Sequence, residues 1–209
     1  MELLKQMEWR YATKKFDIHE KVSDDHIALL KRAIQLSVSS YGLQLYKVII
    51  IKNEEVKQKL KSASWNQSQV SDASHLFVFC NYTDAKPENI DDFMRLTAEV
   101  RDIPLKKLQR YGDFINEKLS EKSPTELYYW LKSQTYIALA NLLSACAVLK
   151  IDACPMEGFD AGQYNTMLGL TEKGLNASVI VAVGYRSSED ETQRLPKVRR
   201  PSELLFQSL

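Results

Sequence analysis

The sequence predicts an α+β fold in which a small, mainly antiparallel sheet is wrapped by helices, and three observations predict it. Three short runs, residues 46–52, 75–81 and 176–185, are rich in β-branched and aromatic residues, as strands are. Segments with apolar residues at helical spacing separate them. Near the middle lies a long helical pattern, residues 124–149, whose second half is apolar nearly all round and is therefore expected to be buried on most sides. With 209 residues, 44% of them hydrophobic, and no Pro/Gly/Ser-rich linker, the chain reads as a single domain over 1–209 with a real core.

In chain order, residues 1–11 can form a helix with Leu3, Leu4, Met7 and Tyr11 on one face, while Trp9 falls off that stripe. Ser23 can N-cap a helix to about Leu36 that buries Ile27, Leu30 and Ile34. A polar loop, 37–42, precedes the first strand. Asn53 caps a short helix through Ser62 with Val56 and Leu60 inward. Residues 87–122 read as helical but polar, a surface excursion rather than core, and the most variable part in conformation. Ser123, Pro124 and Glu126 form a capping box with Pro at the first helical position, a strong start for 124–149. A short extended piece at 151–154 leads to a turn after Pro155, Asp160 caps a helix that stops before Gly169, and a tail follows Pro201.

Charge and cysteine use narrow the function classes. Lys and Arg number 28 against 27 Asp and Glu, so no global field favours nucleic acid or an anionic membrane. Apolar runs such as 76–80 and 179–183 are too short to span a bilayer. The N-terminal stretch is interrupted by charges and lacks the apolar core of a secretory signal, so cytoplasm is the expectation. Cys80 and Cys146 read as small buried hydrophobes, and Cys154 beside Pro155 leaves a redox thiol as an alternative. His19, His26 and His75 share no ligand-like spacing with one another or with the cysteines, so no metal site is expected. Neither G-x-G-x-x-G nor G-x-x-x-x-G-K-[ST] occurs among the seven glycines, and no G-x-S-x-G suggests a hydrolase.

Four segments could carry chemistry. Arg10 and Lys14, at the end of the first helix, could hold a phosphate and a second anionic group, or merely offset the helix dipole. Lys197 and Arg199 alternate onto one side of an extended chain and could reach one phosphate, or form a solvated basic tail. Gly158, after Pro155, Met156 and Glu157, permits close approach of backbone to a ligand, though a simple turn explains it equally. The hydroxyls of Ser39 and Ser40 could bond a ligand or cap their loop.

Taken together and in order, these stretches resemble the FMN-dependent nitroreductase family, and within it the oxygen-insensitive NAD(P)H nitroreductases. The matching residues are Arg10 to Lys14, Ser39-Ser40, Asp72 to Cys80, Pro155 to Asp160, Gly169 to Gly174, Val181 to Tyr185 and Leu195 to Arg199. They span Met7 to Arg200.

The resemblance implies a nitroreductase-like sandwich in an intertwined homodimer, with FMN held in two sites built from both chains and the helix 124–149 at the interface. It also implies that 87–122 controls access to the site. By position, Arg10, Lys197 and Arg199 would hold the FMN phosphate, and Tyr11 and Ala12 would offer backbone contacts. Lys14 would lie near the N1/O2 edge of the ring and tune the flavin, there being no separate catalytic residue. Asn66 and Gln69 would face the pyrimidine side. Pro155, Met156, Glu157 and Gly158 would back the ring, with the Glu157 N–H toward N5, and Ser39, Ser40 and Gly42 would come from the other subunit. The implied activity is ping-pong, two-electron hydride transfer from NADH or NADPH to a small-molecule oxidant such as a nitroaromatic or a quinone. Alternatives are a flavin-binding, redox-responsive protein without turnover, or a specialised flavin reductase or dehalogenase of the same fold. The chain departs from the family at Gly42, where an Asn is common, at Gln69, where a Lys is frequent, and at Tyr11 and Ala12, where other residues, sometimes hydroxylated, often stand.

Overall fold

The computed structural model describes residues 2–209. Four strands form one sheet in the order β1-β2-β4-β3: β1 (Tyr46–Ile51), β2 (His75–Tyr82), β3 (Asp152–Met156) and β4 (Leu175–Gly184). All three pairings are antiparallel. Around the sheet run α1 (Glu2–Trp9), α2 (Asp24–Gln35), α3 (Glu54–Ser62), α4 (Ser68–Asp72), α5 (Pro87–Arg101), α6 (Gln109–Ser120), α7 (Pro124–Val148) and α8 (Ala161–Leu168), with a last turn, α9 (Ser202–Leu205).

The two central strands are apolar on both faces because helices cover both. Phe77 and Phe79 of β2, with Val179, Val181 and Val183 of β4, pack against α2 and α7 through Leu30, Ala138 and Leu142. Leu76, Val78 and Cys80, with Ile180 and Ala182, pack the other way against Leu60, Val70 and Tyr164 of α3, α4 and α8. Such two-sided burial turns the expected alternation into the continuous apolar runs seen in the sequence. A bulge between Phe79 and Cys80 leaves Ser178 as the extra residue, and its hydroxyl lies 2.8 Å from that of Thr135 on α7.

The sequence-expected caps are in place. Ser23, Asn53, Ser123 and Asp160 each accept from the backbone N–H three residues on, and Gly169 ends α8 at φ 59°. Three expectations need correction. Pro155 lies inside β3, tolerated because β3 is an edge strand. The first helix stops at Trp9, so Tyr11 is not on its face, and Leu3, Leu4 and Met7 are exposed in the isolated chain; the expected start at Met1 lies outside the described residues. Residues 87–122 are more than a polar excursion: Ile90, Met94, Ile115 and Leu119 close over Leu131 in a third core. In the second half of α7 the expected burial on most sides is present, with Ala138, Leu139, Leu142, Cys146 and Ala147 buried, while Ser133, Ile137, Ala140 and Val148 form an exposed stripe along the helix.

Candidate active site

After Trp9 the chain leaves the helix and runs beside β3, where Ala12 forms a parallel bridge to Ala153. A buried ion pair holds this run from one side. The Asp152 carboxylate accepts from the Arg186 backbone N–H at 2.9 Å and from its Nε at 2.9 and 3.0 Å. The Arg186 guanidinium in turn lies over the rings of Trp9 and Tyr11, 4.3 and 4.6 Å from their centroids.

Asp190 holds the same run from the other side. Its Oδ2 accepts from the Tyr11 hydroxyl at 2.9 Å and from the backbone N–H groups of Lys14 and Lys15 at 2.7 and 3.1 Å. Its Oδ1 accepts from the Thr192 N–H at 3.0 Å. Burial opposes ionisation here, but these donors hold the Asp190 carboxyl below the usual aspartate value.

Beyond this turn the C-terminal segment returns to the end of α1, and the Lys197 ammonium donates to the Arg10 carbonyl oxygen. Arg10, Lys197 and Arg199 then line one cavity of about 430 Å³, together with Leu4, Met7, Glu8, Ala140, Leu143 and Ser144. The expectation that the two basic segments meet is met. Burial lowers the pKa of Arg10, and the neighbouring Arg199 lowers it further. Lys197 is lowered by burial, then by Arg10, Arg199 and Arg186. Three cations therefore crowd one concavity. Among the described residues no carboxylate forms an ion pair with any of them. Glu8 is the one carboxylate residue in the lining, and its charge partly offsets that of Lys197, so the cavity keeps a net positive charge suited to an anion such as a phosphate.

A second group of expected residues gathers at the end of β3. Met156 shares a core cluster with Ala12 and Val70, which places Gln69 of α4 next to that cluster. The loop 63–67 is tied to 158–160: Gln67 Nε2 donates to the Gly158 carbonyl at 2.8 Å, and the Asp160 N–H to that of Ala63 at 2.8 Å. Trp65 and Asn66 are both left-handed, at φ 53° and 57°, an uncommon backbone for two consecutive non-glycine residues. Gly158 lies close under the Trp65 ring, and a Cβ there would lie 2.7 Å from it, so a larger residue would displace that exposed ring. The Glu157 carboxylate accepts from the Tyr136 hydroxyl of α7, whose pKa is raised by burial and by that carboxylate.

Ser39, Ser40 and Gly42 lie elsewhere on the chain. The Ser39 hydroxyl accepts from Gln44 N–H at 2.9 Å, and Ser40 N–H donates to Gln134 Oε1 at 2.8 Å. Gly42 has φ 80°, and a Cβ there would meet the Phe93 ring at 2.9 Å. None of these three lines the cavity of Arg10, Lys197 and Arg199.

Sequence reasoning missed Asp152, Arg186 and Asp190. Each is a single charged residue in an unremarkable stretch, and only the pairing of distant segments gives it a partner. Cys154 is buried and burial pushes its thiol up, which leaves no exposed thiolate there. Among the described residues no His, Cys, Asp or Glu group could hold a metal ion, and no helix is long and apolar enough to cross a membrane.

Comparison with known proteins shows the chain's family and fold. The nitroreductase family model matches residues 7–185. The oxygen-insensitive NAD(P)H nitroreductase of Salmonella typhimurium is 34% identical over 202 residues, 93% of each chain. The major NAD(P)H-flavin oxidoreductase of Aliivibrio fischeri is 31% identical over 208 residues, 96% of this chain and 95% of its own. Among solved structures, a nitroreductase-like protein from Streptococcus mutans superposes with TM-score 0.87 at 19% identity, over 99% of this chain and 97% of that one. An Exiguobacterium sibiricum protein solved in complex with FMN superposes with TM-score 0.85 at 18% identity, over 99% and 97%. The chain belongs to the nitroreductase family.

Proposed function

We propose that this chain is an FMN-dependent oxidoreductase that draws electrons from NADH or NADPH and reduces small electron-poor molecules, nitroaromatics and quinones among them. The convergence of Arg10, Lys197 and Arg199 on one cavity, where three cations outnumber the one carboxylate, Glu8, carries this reading. Three donors of fixed charge suit the terminal phosphate of FMN, and nothing in that cavity's lining is built to take an adenine. Family membership and the nicotinamide- and flavin-linked names of the relatives support the redox chemistry.

When bound, FMN supplies transfer of electrons in pairs from the nicotinamide to the oxidant, each visiting the same face in turn. The protein's own residues bind and orient. Arg10, Lys197 and Arg199 would anchor the phosphate end, and the backbone of Tyr11 and Ala12 would offer contacts to the cofactor. Lys14 would supply a positive charge to stabilise negative charge that grows on reduction. Asn66, Gln69 and Pro155 to Gly158 would hold the ring. Ser39, Ser40 and Gly42 reach the site from a second copy of the chain. The working unit is thus a homodimer joined through the exposed stripe of α7 and the exposed face of α1, and its expected location is the cytoplasm.

The test is the visible spectrum of the purified protein, followed by anaerobic addition of NADPH or NADH and then of a nitroaromatic or quinone. Flavin absorbance that bleaches with the nicotinamide and returns with the oxidant is expected. Bound flavin that neither nicotinamide bleaches would overturn the enzyme reading in favour of a flavin-binding protein without turnover.

A further inference from the structure

We propose that Asp190 is the positioning residue that assembles the phosphate clamp from the two ends of the chain. The clamp is discontinuous: Arg10 lies near the N-terminus, whereas Lys197 and Arg199 lie in a C-terminal segment with no helix or strand of its own between residues 195 and 201. As far as residue 187 the two ends are held together by backbone, through Asp17 N–H to Tyr185 O and Ser187 N–H to Lys15 O, both 2.9 Å. Beyond that, among the described residues, the hydrogen bonds that join the segment to the N-terminal run are those of Asp190 and that of Lys197 to the Arg10 carbonyl. Asp190 is 2% exposed, and each of its oxygens faces one of the two ends. Oδ2 takes three donors from residues 11–15, while Oδ1 takes the Thr192 N–H that opens the 3-10 turn Glu191–Arg194 leading to Lys197.

A carboxylate suits this place and an amide does not. Both oxygens must accept, so an asparagine would point its NH₂ either at the three donors of residues 11–15 or at Thr192. Either choice leaves a buried donor without an acceptor and frees one end of the clamp. Asp152 and Arg186 brace the N-terminal run, but among the described residues neither makes a hydrogen bond to the segment 187–201.

The proposal rests on the FMN reading above, and the test separates the two. Apoprotein is titrated with FMN and with riboflavin, which lacks the phosphate, following flavin fluorescence, for wild type, Asp190→Asn, Arg199→Ala, the double variant and Tyr11→Phe. Asp190→Asn should weaken FMN by about 10–100-fold, the loss of one charge-assisted bond to the phosphate, and change riboflavin by less than about 3-fold. If Asp190 acts through the clamp, the double variant should bind FMN no more than about 3-fold more weakly than the weaker single variant. Tyr11→Phe, which deletes one of the four donors and spares the fold, should weaken FMN several-fold and leave riboflavin alone. Equal loss of both flavins in Asp190→Asn, multiplying losses in the double variant, or unchanged FMN affinity in Tyr11→Phe would overturn the role of Asp190. Wild type that binds riboflavin as tightly as FMN would instead overturn the phosphate site itself, and this proposal with it.

Discussion

Replacing Lys197 by Met should separate what the clamp does for the cofactor from what it does to the fold. The substitution keeps the aliphatic stem and deletes one of three cations that repel one another in a partly buried cavity. Without an anion the loss is small: one hydrogen bond to the Arg10 carbonyl disappears, and so does repulsion from Arg10, Arg199 and Arg186. Surface changes of this kind stay within about 0.5 kcal/mol. With FMN the balance reverses. A charge-assisted bond to phosphate is worth roughly 1.5–3 kcal/mol, about 10–100-fold in affinity. At an FMN concentration one hundred times the wild-type Kd, ligand binding stabilises wild type by about 2.7 kcal/mol. A 30-fold weaker variant keeps about 0.9 kcal/mol of that, so the difference is about 2 kcal/mol, or roughly 4–8 °C in Tm for a chain of this size. Thermal unfolding with and without FMN reads both quantities, and added salt should narrow the gap between the two holoproteins. An equal fall in Tm for apo and FMN-loaded protein would refute the reasoning, because Lys197 would then be a structural residue.

Ile137→Glu places a charge in the centre of the exposed α7 stripe, twice per symmetric interface, and at several kcal/mol per unpaired buried charge should convert the dimer to monomer at micromolar concentration; light scattering that still reads a dimer would move the interface elsewhere. His75 is 3% exposed, and burial, then Lys52 and Lys57, lower its pKa from 6.5 to about 4, so the stability tied to the neutral ring is complete above pH 6.5 and is lost as the pH falls toward 4. Urea unfolding across that range should lose about 3 kcal/mol more in wild type than in His75→Gln, and parallel curves would refute it. Lys57→Met removes a fully buried ammonium that donates to the Ser71 and Ala73 carbonyls and pairs with Glu54 at 3.1 Å, so unfolding should cost about 2–4 kcal/mol less, with an unchanged midpoint as the contrary result.

Local chemistry was legible in the sequence and long-range pairing was not, and the particular residues say why. Ser23, Asn53, Ser123 and Asp160 cap helices through bonds that close within three residues, so each signal is complete in a window of four. Three of the four strands, β1, β2 and β4, were legible because β-branched runs have few alternative uses, whereas β3, with no β-branched residue, read only as a short extended piece. Lys57 was not: on a helix of polar residues it reads as solvent-facing, and only the later arrival of the α4 carbonyls makes its burial tolerable. The inward face of residues 87–122 was missed for a related reason, since Ile90, Met94, Ile115 and Leu119 are sparse among charges and gain a core only when two helices fold against Leu131. The site divides along the same line. Arg10, Lys14, Lys197 and Arg199 are legible as basic clusters, yet a basic cluster is usually solvated, and spacing alone does not say that two of them share one cavity. Asp190 ties the two ends of the chain together through Tyr11 and Lys14, both more than a hundred residues away in sequence, while Asp152 pairs with Arg186 across 34 residues. A charge that acts by pairing across the chain leaves no periodicity or local motif, so the residues that position a discontinuous site are the last that a sequence discloses and the first that a fold explains.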